Sequence, residues 1–183
     1  MLLLKLKNWQ LLALIFLVPL VLELTGLGNA LLLNESEGLP VAIISTAANM
    51  IPSLVFLSWA WHVGTYLHKK LPAAVKMSLT VLKLVIIALA VYGIVFSMYS
   101  SLFWNYSEFS SWIGSHLLAM LGTMYILHFI AKSIKVVEMQ KPLKLSDYSD
   151  EFLWLIIWPF GIWKLQPRIN GLLSGSNLKP LEL

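Results

Sequence analysis

The chain has 183 residues, 58% of them apolar and 12% charged, with a net charge of +4 and a mean hydropathy of +0.79. Soluble domains are about 25% charged, so water is excluded as the solvent for most of this surface, and basic residues scattered between apolar runs exclude a nucleic-acid patch. Cysteine is absent, which excludes disulfides, thiolate metal sites, cysteine nucleophiles and covalent haem attachment.

A helix needs roughly 20 apolar residues to cross a hydrocarbon core about 30 Å thick. The first stretch of that kind covers residues 9–28 and is interrupted by Pro19 and Glu23. Gly28-Asn29-Ala30 has the small-x-small form of a signal-peptide cleavage site. Apolar residues continue at once through Leu31-Leu32-Leu33, so this segment reads as a retained span. The second stretch, 41–67, holds Asn49, Pro52 and His62. The third, 79–104, has Lys83 near its start, and the fourth, 111–131, holds His116 and His128. Strands are a poor reading, because in lipid only helices and closed barrels satisfy the backbone. The expected fold is an all-α integral membrane protein, with a four-transmembrane-helix bundle over residues 1–135.

The charges orient it. Lys5 and Lys7 precede the first span, Lys69, Lys70 and Lys76 lie between the second and third, and Lys132, Lys135, Lys141 and Lys144 follow the fourth. The other two loops, 34–37 and 105–108, carry no Lys or Arg. By the positive-inside rule both termini are cytoplasmic, in a cell or inner membrane. Asn34 and Asn105 head Asn-x-Ser glycosylation patterns on the outer side. Each half repeats one plan: basic inner end, span, Asn-x-Ser acidic loop, and a span with a His near its inner end. That is a faint sign of a duplicated helical hairpin.

The tail, 136–183, holds one more apolar run, from 152 to 163, which is short and broken by Pro159 and Gly161. A fifth crossing would carry Lys164, Arg168 and Lys179 outside, against the charge rule. This run therefore reads as a Trp-rich interfacial or re-entrant cytoplasmic segment. Trp154, Trp158, Trp163, Lys164 and Arg168 are its candidates for docking to lipid or to a partner. Asp147, Asp150 and Glu151 read as a solvated acidic cluster.

Polar residues inside a span are functional candidates. Glu23, Asn49 and His116 fall at one outer level and could line an ion or substrate path. His62 and His128 fall at one inner level and could ligate a haem b iron from two helices. The simpler reading gives each His a hydrogen bond to a neighbouring helix and lets Lys83 snorkel to the inner surface. Ser115, Ala119 and Gly122 on the fourth span, and Asn49 and Ser53 on the second, read as helix-packing residues. There is no phosphate-cradling glycine loop, metalloprotease motif or nucleophile elbow, and neither catalytic residues nor a metal site are expected. The leading expectation is a non-enzymatic multi-pass subunit or scaffold of a membrane complex. Its partners would be the bilayer and a second protein or another copy of the chain, with no nucleic acid. The alternatives are a small oligomeric transporter or ion-conducting protein using Glu23, Asn49 and His116, and a haem-binding electron carrier using His62 and His128.

Overall fold

The computed structural model describes residues 8–33, 39–103, 109–157 and 160–174. They are helical apart from short connections, with no strand among the described residues. Helix α1 (Asn8–Leu12) runs through a π-turn (Ala13–Leu17) into α2 (Val18–Leu33). In that turn the Val18 N–H reaches the Ala13 carbonyl. Pro19 explains the widening. A proline has no N–H to give, and its ring crowds the carbonyl one turn back. A wider turn just upstream absorbs the ring without breaking the rod.

Helix α3 (Leu39–His68) follows, then α4 (Leu79–Phe103) and α5 (Phe109–Met139). Among the described residues two helical stretches are long and apolar enough to cross a membrane, Leu79–Ser100 with 22 residues and Trp112–Met139 with 28. Trp9–Thr25 is apolar but shorter. The tail forms a 3-10 turn (Leu145–Asp147), α6 (Ser149–Ile156) and α7 (Phe160–Ser174).

The core is asymmetric. Trp59, Val63 and Leu67 of α3 are buried with Leu82 and Ile86 of α4 and with Ile126, Ile130 and Ile134 of α5. Leu11 and Ile15 join them, as do Leu155, Leu165, Ile169 and Leu172 of the tail. All of these lie toward the basic end of the helices. On the other side of α4, Val81, Leu84, Ile87, Val91, Val95 and Met98 form an uncovered apolar stripe at helical spacing. Gly64 lets α4 close on α3, since a Cβ there would lie 2.4 Å from the Leu82 side chain.

Two features differ from expectation. The fourth apolar run is expected to end near residue 131, yet α5 continues to Met139. Ser133, Ile134, Val136 and Val137 are buried there, so packing rather than hydropathy sustains the helix. Gln140 then stops it with φ at 51°, the left-handed conformation of a helix C-cap. The acidic cluster also divides. Asp147 and Asp150 are exposed, but Glu151 is buried at 3% exposure.

Helix α6 and the residue before it pack against α5 at His128. The rings of Tyr148 and Phe152 both meet His128, at 5.4 and 6.4 Å between centroids.

Candidate functional site

The tail is anchored by two polar devices. Trp59 and Gln166 are fully buried, and the indole N–H of Trp59 donates to Gln166 Oε1 at 2.9 Å. The Gln166 amide then donates to Asn170 Oδ1 at 3.2 Å. A buried amide or indole left alone would cost about 1–3 kcal/mol, so the two side chains require each other.

The second device is an ion-pair cluster joining α5, α6 and α7. Arg168 donates through Nε to Glu138 Oε1 at 3.0 Å and through Nη2 to Glu138 Oε2 at 2.6 Å. The same Nη2 reaches Glu151 Oε1 at 3.0 Å, and Lys135 Nζ reaches that oxygen at 3.2 Å. Two cations thus face two carboxylates, and the bidentate guanidinium fixes both distance and plane. Glu151 Oε2 is buried and has no hydrogen-bond partner among the described residues. Burial pushes the Glu151 carboxyl up, but hydrogen bonds from Arg168 and Lys135 outweigh it and hold the group below the usual carboxylate range. Burial likewise works against the Arg168 charge, yet Glu138 and Glu151 hold the guanidinium above its ordinary value. Arg168 is charged and locked at any working pH.

Helices α6 and α7 come close at Gly161 and Trp154. A Cβ on Gly161 would fall 1.8 Å from the Trp154 carbonyl oxygen, so only glycine allows the close approach. Lys164 Nζ lies 4.1 Å from the centre of the Trp154 ring, a cation–π contact within the hairpin. At the far end Lys70 Nζ donates to the Leu172 carbonyl at 2.6 Å, a cation in the last turn of α7. Leu153, Ile156, Ile157 and Trp163 remain exposed. The result is a fastened helical hairpin with an apolar outer strip.

The residues singled out in sequence are placed as follows. Arg168 is the centre of the cluster, Lys164 covers Trp154, and Trp163 is on the outer strip. Trp158 lies outside the described residues, as do the loops with Asn34 and Asn105 and the side chain of Asn49. His62 Nδ1 bonds the Ser58 carbonyl of its own helix at 2.7 Å. His128 packs under Tyr148 and Phe152, so the two imidazoles are engaged separately. Glu23 is exposed on α2. His116 bonds the Tyr92 hydroxyl and sits edge-on to Phe96 at 4.7 Å. Lys83 Nζ lies 5.0 Å from the centre of the Trp61 ring. Among the described residues no three His, Asp or Glu come together as metal ligands.

Glu138, Glu151, Gln166 and Trp59 are not legible as partners, because each comes from a different stretch of chain. Gln166 carries one signal. It follows Leu165 on the same face as Ile169 and Leu172, a polar residue in an apolar helical stripe. No protein-family model, curated protein or solved structure matches the chain.

Proposed function

We propose that the chain is a four-span integral membrane protein, both termini cytoplasmic, that serves as a non-enzymatic subunit or scaffold of a membrane complex. The tail hairpin is its docking element. The observation that carries this reading is the Arg168 cluster, which holds an exposed strip of Leu153, Ile156, Ile157 and Trp163 in one arrangement. A surface ordered in advance loses little entropy on docking, and an aromatic on an aliphatic strip is a common anchor.

The membrane reading is supported beyond the two apolar helices. Helix α3 has 30 residues, none of them Asp, Glu, Lys or Arg. At about 1.5 Å per residue it exceeds the roughly 30 Å core. The helical stretch 8–33 has Glu23 as its single charged residue. The uncovered stripe of α4 would be costly in water and is at rest in lipid.

Because the chain lacks cysteine, topology is read from single introductions. Ser36→Cys should react with an impermeant maleimide on intact cells, and Lys141→Cys only after the membrane is opened. The reverse pattern refutes the orientation. For the subunit reading, the protein is purified from its own host in mild detergent and weighed in the native state. A mass of 20.6 kDa joined to a second polypeptide, which dissociates in the Leu153→Ser/Trp163→Ser variant, supports it. The chain alone, monomeric or self-assembled, refutes it.

A further inference from the structure

An apolar cavity of about 850 Å³ lies between α3, α4 and α5, within the range of small-molecule sites. On α4 its wall runs from Leu89 to Ser100, about 16 Å at the helical rise. That is close to half of a hydrocarbon core about 30 Å thick, the depth of one leaflet's chains. The cavity reaches the surface, since the exposed side chains of Leu54 and Ile94 belong both to its lining and to the apolar outer surface.

Its walls offer little to a polar occupant. Ser100 donates to the Ser97 carbonyl at 3.1 Å and Thr123 to the Ala119 carbonyl at 2.9 Å. Tyr92 is bonded to His116. These three hydroxyls thus bond within the protein. On α4 the lining carries Ser97 and Ser100 toward the far end of the helix, while Leu127 of α5 and Leu155 of the tail belong to the part nearer the packed core. On the proposed topology the serines lie on the outer side. An apolar cavity disfavours water and takes hydrocarbon.

The geometry points to a binding site for one acyl chain of an outer-leaflet phospholipid, entering from the end with Ser97 and Ser100 and reaching with its methyl end toward Leu127 and Leu155. This rests on the membrane-spanning reading. Tail residue Leu155 belongs to the lining, so the site joins the lipid-facing helices to the docking hairpin.

Gly93 provides the test. It lines the cavity, and a Cβ there meets nothing within 4 Å, so Gly93→Leu fills the space without a backbone clash. A Cβ at Gly114 also meets nothing within 4 Å, but Gly114 is not part of the lining. Wild type, Gly93→Leu and Gly114→Leu are extracted from membranes in mild detergent and compared by native mass spectrometry for retained phospholipid. One phospholipid per chain is expected in wild type and Gly114→Leu, with at least a tenfold loss of occupancy in Gly93→Leu. Ala90→Leu, on the same wall, replaces Gly93→Leu if that variant does not assemble. Equal lipid in the filled variant overturns the site. So does a wild type that carries no phospholipid, or holds an isoprenoid or only detergent, while still fractionating with membranes. A chain that does not fractionate with membranes fails the spanning reading itself, which separates the two failures.

Discussion

Replacing Arg168 with Met keeps much of the stem and removes the charge that ties α7 to α5 and α6. The Glu151 side chain is 4% exposed, whereas Arg168 is 33% and Glu138 23% exposed. Breaking a buried pair by removing one partner costs about 3–5 kcal/mol. Water takes over part of the solvation of Glu138, so the lower end applies, about 3 kcal/mol. At about 1.4 kcal/mol per decade this is roughly a hundredfold in the docking equilibrium of the hairpin. Glu151→Gln removes the buried charge and should cost less, about 1–2 kcal/mol. In the double variant Glu151 is no longer stranded, so its loss should fall short of the sum by at least about 1 kcal/mol. Unfolding in mild detergent, followed through tryptophan fluorescence and hydrogen exchange of α6 and α7, measures each corner of the cycle. Strict additivity, or a loss under about 0.5 kcal/mol for Arg168→Met, refutes the claim that this cluster fastens the tail.

Acid should loosen the same hairpin. The folded pKa of Glu151 is depressed, so its contribution is fully present above the ordinary carboxylate value and is lost as pH falls through the folded value. A melting temperature that declines below that ordinary value in wild type, but less steeply in Glu151→Gln, is the expected record. Gly161→Ala should destabilise by about 3 kcal/mol or more, since its Cβ meets a backbone oxygen. Gly64→Ala meets only the end of a leucine side chain and should cost about 1 kcal/mol. Similar melting temperatures for the two would contradict the close approach of Gly161 to the Trp154 backbone. Trp59→Phe removes the indole donor to the buried Gln166 Oε1 and should cost about 1–3 kcal/mol by chemical unfolding. Adding Gln166→Leu should recover part of it, and no recovery would contradict the pairing.

The class of elements and where they run are legible along the chain. Apolar runs with no charge between Leu84 and Phe103, or within 39–68, allow little except helix in an apolar setting. Pro159 and Gly161 likewise mark a sharp turn in the tail without any coordinates. Those signals are local, carried by neighbours along the chain. The extension of α5 past residue 131 was less legible, because Lys132, Lys135 and Glu138 look like a solvated connection until the tail covers the face between them. Whether Glu151 is wet or buried, and whether Arg168 faces solvent or two carboxylates, depends on contacts 17 and 30 residues away in the chain. Tertiary structure alone decides such pairings, because identical charged residues are stable in water or in a complementary cluster, and only packing selects between them. The cavity has the same origin. Leu89, Ala119 and Leu155 are ordinary apolar positions in sequence, and the space they enclose exists only where three helices diverge above a core packed at one end.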